Sequence, residues 1–295
     1  MINYSFIIPH KNNPVRLKRC LHSIPNRDDV EIIIVDDNSD SSIVDFKAFP
    51  DFEYENLIIK FNKESRGAGK ARNIGLSCAR GKWLVFADCD DFFTDNLNLI
   101  LDKYKNSDKD IIFCAVNCIS DSTLKQVKNE NFDYYYENIN YALSTNDYSR
   151  LRYSMNPPWG KIIRHKIVID NNILFDEVPV ANDLMFSVKT GFYAKAVSVE
   201  AQAIYNWVLN EGSLSNLKSL DKSYCHLKIN ISKNEFLYSH NLEEYRVNLF
   251  KIIKRFKTHG WIEICKAFVF IVCSTPFKYI IPDLYSAFRA MIKYK

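Results

Sequence analysis

The sequence predicts an α/β fold in which a mostly parallel sheet is covered by helices on both faces. Short apolar runs of strand length, such as Tyr4–Pro9 and Glu31–Asp37, are bounded by turn residues. Segments with one apolar helical face separate these runs, and strands that alternate with helices typically pair in parallel. Polar clusters follow three of the runs, at the sheet edge where such folds bind ligands.

The elements follow each other regularly as far as Asn117. The other predicted strands are Leu57–Phe61, Lys82–Asp88 and Asp110–Asn117. Asn13 and Pro14 mark the first helix, because asparagine caps helices and proline suits the first turn. This helix spans residues 13–24, and further helices are predicted over residues 67–81 and 96–105.

Beyond Asn117 the pattern is weaker. Residues 118–150 are polar and rich in Asn and Tyr, so we expect irregular structure near the rim of a site. A helix is predicted within residues 182–196, followed by two short strands, 197–200 and 203–208. From about residue 218 the sequence is helical, basic and aromatic, which predicts two domains, 1–217 and 218–295.

The composition is that of a globular protein, with 295 residues, 47% hydrophobic and 25% charged. Net charge is +4, yet ten Lys/Arg and only two acids fall within Tyr245–Lys295, so a mildly acidic body carries a basic tail. Eight scattered cysteines without a C-x-x-C pair indicate reduced thiols and a cytoplasmic protein. The start lacks the pattern of a signal peptide, and Ala267–Phe277 is too short to span a bilayer.

The segment Trp83–Asn96 leads an apolar run into three carboxylates, Asp88, Asp90 and Asp91. Like charges this close repel, and burial makes the repulsion worse, so we expect a cation nearby. Asp88 and Asp90 alternate along an extended segment and therefore point the same way. Their hard oxygens suit Mn²⁺ or Mg²⁺. The alternative is a capping and turn cluster, a role that we expect for Asp91.

Several separated motifs together resemble the inverting family 2 glycosyltransferases of GT-A fold. They are SFIIPHKNN, IIIVDDNSD, GAGKARNIGLSCARGKWLVFADCDD, PPWGKIIR and ANDLMFSVKTG, and they cover about residues 3–215. The resemblance implies a GT-A domain with a helical C-terminal extension. It also implies transfer of a hexose or N-acetylhexosamine from a nucleotide sugar, with UDP favoured by family habit. Asp90 would bind the metal that holds the diphosphate, and Asp88 would lie near the ribose and donor sugar.

The resemblance also assigns residues to the nucleotide. Asp37 would accept a hydrogen bond from the base while Asp36 supports the turn, and a plain strand-to-loop turn is the alternative. Pro9, His10 and Asn12 stand where the family packs the base and ribose, with histidine at a position where tyrosine is common.

Other residues are assigned to phosphate and acceptor. Arg72 would contact phosphate or offset the negative charge of the aspartates. The alternative is a purely structural Arg–Asp pair. Asp183 would be the base that deprotonates the acceptor hydroxyl, and the alternative is that it only caps a helix. Its neighbour on the acceptor side, Asn182, stands where the family usually has glutamate. Trp159 would stack on an acceptor sugar beside Lys161, and the alternative is that Trp159 is a buried core residue.

One departure limits the assignment. Many relatives place an arginine soon after the tyrosine at position 205, where this chain has Asn206, Trp207 and Val208. A phosphate contact from that arginine is therefore not carried over, and no third protein ligand for the metal is identified.

The basic tail bears on the partners. Capsule and O-antigen members of the family act on undecaprenyl-diphosphate-linked sugars at the cytoplasmic face. We therefore expect a lipid-linked or oligosaccharide acceptor, peripheral binding of residues 245–295 to an anionic inner-membrane surface, and no nucleic acid. The alternative is a helical subdomain that packs on the core or on a second subunit, forming a homodimer.

The same residues argue against three rival functions. A dehydrogenase and a sugar-phosphate nucleotidyltransferase would both need a glycine-rich loop after the first strand, and PHKNN contains no glycine. A non-catalytic, membrane-associated scaffold that binds nucleotide sugars is opposed by Asp88, Asp90 and Asp183.

Overall fold

The computed structural model describes residues 1–46, 54–64, 66–209 and 219–293. The chain forms two compact units, Met1–Val178 with Asn182–Glu211, and Pro179–Ala181 with Gly212–Lys295. The domain boundary expected at residues 217–218 lies outside the described residues.

The first unit is built on one mixed sheet. Its strands are β1 Tyr4–His10, β2 Val30–Asp36, β3 Leu57–Phe61, β4 Trp83–Phe86, β5 Phe92–Phe93, β6 Ile111–Ser120, β7 Lys161–Arg164 and β8 Val197–Leu209. Their order is β3-β2-β1-β4-β7-β6-β8-β5. The first four in this order are parallel, as are β6 and β8, whereas β7 and β5 run antiparallel to their neighbours. The predicted α/β fold is confirmed.

Helices cover this sheet and explain its apolar strands. They are α1 Pro14–His22, α2 Ala68–Cys78, α3 Asn96–Tyr104, α4 Glu130–Thr145, α5 Ser149–Ser154, α6 His165–Asp170 and α7 Leu184–Tyr193. Every residue of β1 and β2 is buried, as expected for parallel strands packed on both faces. Because β2, β1 and β4 are adjacent and parallel, their carboxyl ends, each followed by a polar cluster, meet at one edge.

The expectation of irregular structure over residues 118–150 is wrong. Strand β6 extends to Ser120, and α4 and α5 occupy much of the remainder. Phe132, Tyr135, Ile139 and Ala142 recur at helical spacing and are buried in the main core. The two short strands expected over residues 197–208 are also one continuous strand, β8, whose register with β6 is irregular on both sides of Ala115.

The second unit is helical, as expected. It contains α8 Leu220–Ser239, 3₁₀ helices Glu243–Tyr245 and Leu249–His259, and then α9 Trp261–Ser274 and α10 Phe277–Lys293. Leu227, Phe250, Phe256 and Ile271 are buried together in its own apolar cluster. Among the described residues, no helix has both the length and the apolar character needed to cross a bilayer.

Candidate active site

His10 joins the carboxyl ends of β1 and β2. Its Nδ1 lies 2.9 Å from Asp36 Oδ1, and the backbone N–H of Asn13 donates to its Nε2 at 3.1 Å. Because Nε2 accepts a hydrogen bond it carries no proton, so we assign the ring proton to Nδ1, which donates to Asp36. Asp36 also accepts from the backbone N–H of Ser39 at 2.9 Å, so it supports the turn. His10 is 2% exposed and therefore underlies the site floor.

Asp37 is a buried acceptor beside this floor. Asn62 Nδ2 donates to its Oδ1 at 2.6 Å, and the backbone N–H of Gly67 donates to its Oδ2 at 2.9 Å. A carboxylate has about four acceptor positions, so these two bonds leave capacity for a ligand N–H. The bonds also connect the end of β2 to the residue that precedes α2.

Asn12 and Pro9 shape the loop after β1. Asn12 has φ of 51°, a left-handed conformation that asparagine tolerates. Its Oδ1 accepts from the backbone N–H of Asp40 at 2.7 Å, and its own N–H donates to Ser39 Oγ at 2.8 Å. Pro9 is buried in β1 opposite Val35. The structure thus places the predicted base and ribose residues around the ends of β1 and β2.

Arg72 connects the two halves of the candidate site. This side chain is buried, and its NH2 group donates to Asp88 Oδ1 at 2.5 Å. Its NH1 group donates to Asn182 Oδ1 at 2.8 Å. The guanidinium also lies 5.3 Å from the centre of the Phe175 ring. One cation therefore bridges the strand-end aspartates and the segment that carries Asp183.

Asp88 and Asp90 provide an incomplete set of hard oxygen donors. Burial, followed by the charge of Asp88, raises the pKa of Asp90, as expected where negative charge is in excess. The described residues contain no group of three His, Cys, Asp or Glu side chains that could hold a metal. Magnesium is often bound through one or two carboxylates together with substrate phosphates. The two aspartates therefore fit a divalent cation that also binds a diphosphate.

Asp91 lies in the expected turn, where its backbone N–H donates to Asp88 O at 3.1 Å, but its side chain does not cap the helix that follows. It is almost fully buried, and it accepts hydrogen bonds from the Tyr205 hydroxyl and from the backbone N–H of Val208, both at 2.7 Å. The Tyr205 hydroxyl in turn accepts from the backbone N–H of Asp88 at 2.9 Å. Asp91 therefore ties the aspartate segment to β8.

Asp183 stands at the N-cap position of α7. The structure describes every residue of this helix, and the Asp183 side chain makes no capping hydrogen bond to it. Burial raises the pKa of Asp183, and the nearby Arg72 guanidinium opposes this rise. The charge of Asp88 raises it further, and that of Lys161 lowers it. A carboxyl group with a raised pKa, held near the strand-end aspartates, has the properties of a general base.

Helix α2 holds the chain that leads to Asp183. A Cβ on Gly69 would lie 2.1 Å from the carbonyl oxygen of Asp176, so glycine permits the close approach of these backbones. The backbone N–H of Asp176 donates to Asn182 O at 3.0 Å, which closes the loop before Asp183. Lys70 also pairs with Glu177 at 3.1 Å.

Trp159 and Lys161 lie below the surface. Trp159 is 7% exposed and stacks between Tyr205 and Tyr135, with ring centres 5.4 and 5.8 Å away. Lys161 is 1% exposed, and its Nζ donates to Met155 O at 2.6 Å and to Ser187 Oγ at 3.0 Å. Trp159 belongs to the main apolar core, and Lys161 connects Met155 to α7. Direct contact of either residue with an acceptor stays a prediction.

Tyr134 is a candidate site residue that the sequence did not indicate. It lies on α4, is 39% exposed, and has a pKa raised by burial and then by the charge of Asp183. The phenol therefore lies within electrostatic range of Asp183. The helical spacing of Phe132, Tyr135 and Ile139 was the signal that could have placed Tyr134 on the outer face of this helix.

The chain is similar to known bacterial sugar transferases. It is 24% identical to "Putative glycosyltransferase EpsH" of Bacillus subtilis over 83% of this chain and 72% of that protein. It is 26% identical to "Poly(ribitol-phosphate) beta-glucosyltransferase" of Bacillus spizizenii over 70% of this chain and 32% of that protein. It is also 26% identical to "Poly(ribitol-phosphate) beta-N-acetylglucosaminyltransferase TarS" of Staphylococcus aureus, over 70% of this chain and 35% of that protein. The chain thus spans about a third of the two poly(ribitol-phosphate) transferases.

A solved structure shares the fold. The crystal structure of S. aureus TarS 1-349 in complex with UDP-GlcNAc superposes with a TM-score of 0.68 at 20% identity, over 93% of this chain and 82% of that one. This likeness shows the GT-A fold. The family description "Glycosyl transferase family 2" matches residues 5–171, more than half of the chain. The protein is therefore a glycosyltransferase, and it belongs to glycosyl transferase family 2.

Proposed function

We propose that the protein transfers a hexose or N-acetylhexosamine from a UDP-sugar to a sugar acceptor, with inversion, in the synthesis of a bacterial surface polysaccharide such as capsule or O-antigen. The observation that carries this proposal is the Arg72 bridge. It joins Asp88, in the D-x-D at the end of β4, to Asn182, the neighbour of Asp183. Donor-binding and base groups therefore belong to one connected site.

The donor side is supported by the edge of the sheet. Asp37 keeps acceptor capacity for a base N–H, and Asn12 and Pro9 border the same loops. TarS, which shares this fold, has been solved with UDP-GlcNAc. We therefore propose a uridine nucleotide for this chain, and the choice between hexose and N-acetylhexosamine follows the names of its relatives.

The transfer is a single displacement at the anomeric carbon. As the acceptor oxygen forms its bond to that carbon, its proton passes to the Asp183 carboxylate, and the bond from the carbon to the diphosphate breaks. UDP leaves with the electron pair of that bond. Attack opposite the leaving group inverts the configuration.

Asp88 and Asp90 would hold a divalent cation, Mn²⁺ or Mg²⁺, which when bound supplies positive charge to the leaving diphosphate. Arg72 would keep Asp88 oriented through its NH2 group, which donates to Asp88 Oδ1. Lys161 would keep α7, the helix that follows Asp183, in place, since its Nζ donates to Ser187 Oγ.

For the acceptor we propose an undecaprenyl-diphosphate-linked sugar, used at the cytoplasmic face of the inner membrane. The basic charge of residues 245–295 supports a location beside anionic lipid. Because the chain is a glycosyltransferase, the alternatives of a nucleotidyltransferase and of a non-catalytic scaffold are set aside.

A thermal-shift panel of UDP- and GDP-sugars with Mn²⁺ tests the donor. The cognate donor should raise the melting temperature by mass action, and GDP-sugars should not. Turnover of that donor with a lipid-linked acceptor, followed by NMR of the anomeric linkage, then tests inversion. A product that retains the donor configuration would contradict the single displacement.

A further inference from the structure

Helices α9 and α10 present an unusually apolar surface. Of the twenty large hydrophobic residues exposed in the described chain, nine lie on these two helices. They are Trp261, Ile262, Phe268, Val269, Phe270, Phe277, Ile281, Tyr285 and Phe288. Isolated exposed apolar residues are ordinary, but a concentration of this kind marks an interaction site.

Helix α9 has distinct inner and outer faces. Ala267 and Ile271 are fully buried in the cluster of the second unit. By contrast, Trp261, Ile262 and Val269 are 76%, 71% and 59% exposed. Ile262 and Val269 are two helical turns apart, so they lie on one face.

Helix α10 repeats this arrangement with aromatic residues. Phe277, Ile281, Tyr285 and Phe288 follow each other at helical spacing and are 85%, 72%, 62% and 59% exposed. Ala287 faces inward into the same cluster as α9. Each helix therefore packs one side on the cluster and leaves an apolar stripe outside.

The charges around these stripes identify the partner. Both acidic residues of α9 and α10 are paired within the unit. Glu263 accepts from the Tyr224 hydroxyl at 2.8 Å and from Lys266 Nζ at 2.7 Å, and Asp283 accepts from Arg246 at 2.5 Å. Exposed basic residues between positions 251 and 289 outnumber them: Lys251, Lys254, Arg255, Lys257, Lys266, Lys278 and Arg289. Lys266 pairs with Glu263, and Lys278 lies 3.5 Å from Glu243. The helices and the segment before them thus combine exposed apolar side chains with an excess of positive charge.

We propose that the outer faces of α9 and α10 bind the surface of an anionic lipid bilayer. Trp261, Ile262, Phe277 and Ile281 insert at the boundary between headgroups and acyl chains, while Lys278 and Arg289 contact lipid phosphates. Amphipathic helices with aromatic and basic residues bind membranes in this way. The proposal deepens the proposed function, on which it rests for a lipid-linked acceptor, but the binding itself requires no transfer chemistry.

Flotation of the full chain with vesicles tests the proposal. Vesicles of phosphatidylcholine with phosphatidylglycerol are compared with vesicles of phosphatidylcholine alone. The wild type should float with the anionic vesicles. Replacing Lys278 and Arg289 by Gln should weaken partitioning about fivefold per charge.

A triple variant tests insertion. Trp261→Ser, Phe277→Ser and Ile281→Ser together should weaken partitioning about 1,000-fold, on the order of tenfold for each buried side chain. The matched control replaces Leu99 and Ile169 by Ser, since these residues of the first unit are 63% and 59% exposed. The control should partition like the wild type. Circular dichroism should show all variants folded, because the substituted side chains are exposed.

Three results would overturn the proposal: a triple variant that floats as well as the wild type, a wild type that binds neither kind of vesicle, and a dimer in solution that the triple variant dissociates. The last would show that the stripes form a homodimer interface. A different result would contradict the proposed function. In that case the protein would bind anionic vesicles but would show no metal-dependent turnover of a UDP-sugar.

Discussion

The Asn73 side chain pairs with both backbone groups of Phe175. Its Nδ2 donates to Phe175 O at 2.9 Å, and its Oδ1 accepts from Phe175 N–H, also at 2.9 Å. Asn73 belongs to α2, which also carries Arg72, whereas Phe175 precedes the loop that ends at Asp183. A single helix therefore contacts Asp88 through Arg72 and fixes, through Asn73, the path of the chain toward Asp183.

Removing this pairing should impair turnover more than donor binding. Asn73→Ala loses two hydrogen bonds, each worth about 0.5–1.5 kcal/mol, so the free energy of unfolding should fall by about 1–3 kcal/mol. The looser loop should lower kcat while the Kd for UDP changes little. Denaturant unfolding and steady-state kinetics measure both effects. Ser77→Ala, an exposed change on the same helix, is the control and should resemble the wild type. Normal kcat in Asn73→Ala would refute the positioning role.

Asp183→Asn tests the base. The amide has nearly the same shape but cannot take the acceptor proton, so kcat should fall by about 10²–10⁴-fold. The Kd for the UDP-sugar, measured by calorimetry, should stay close to that of the wild type. A variant that turned over at the wild-type rate would show that another group accepts the proton.

The pH dependence of kcat/KM should report the raised pKa of Asp183. The base acts when ionised, so activity is lost as the pH falls through this pKa. The acid limb should therefore lie above about 3.9, the value of an ordinary aspartate. Because the Arg72 guanidinium lowers this pKa, Arg72→Gln should move the limb to higher pH.

Asn182→Ala is the matched control for that shift. It removes a hydrogen bond to the same guanidinium but changes no charge, so its acid limb should stay near that of the wild type. If Arg72→Gln left the limb unmoved, the electrostatic coupling between Arg72 and Asp183 would be refuted.

Tyr134 should contribute to acceptor binding, since its exposed ring lies near Asp183. Tyr134→Ala should raise the acceptor KM about 3- to 10-fold, the effect of losing a contact worth about 0.5–1.5 kcal/mol. Tyr134→Phe keeps the ring and should restore most of the affinity. Leu143→Ala, at a residue 42% exposed on the same helix, should leave the KM unchanged. Unchanged acceptor kinetics in Tyr134→Ala would remove this residue from the acceptor site.

The sequence predicted the first half of the fold because each strand and helix there has a strong local pattern. The same argument placed Asp88 and Asp37 at one sheet edge, since β2, β1 and β4 are adjacent and parallel. Helix α4 was missed because exposed Tyr134 and Leu143 obscure its buried stripe. Local apolar pattern alone therefore misled where aromatic residues occur on both faces of a helix.

Contacts between distant residues were beyond local pattern. Arg72 and Asn182 are separated by 110 positions, and only the tertiary structure shows that one guanidinium binds both Asn182 and Asp88. The burial of Lys161 and the pairing of His10 with Asp36 also depend on packing between elements. These residues were predicted from the sequence as site residues, but only the structure shows the hydrogen-bond partners of each.

The central claim is that Asp88 and Asp90 hold a divalent cation against the diphosphate of the donor. Calorimetric titration of UDP with and without Mn²⁺ tests it most directly. The account predicts binding that depends on Mn²⁺ in the wild type and in the control Asp170→Asn, a partly exposed carboxylate of α6. It also predicts that Asp90→Asn loses this dependence. Tight UDP binding without metal, or unchanged metal dependence in Asp90→Asn, would contradict it.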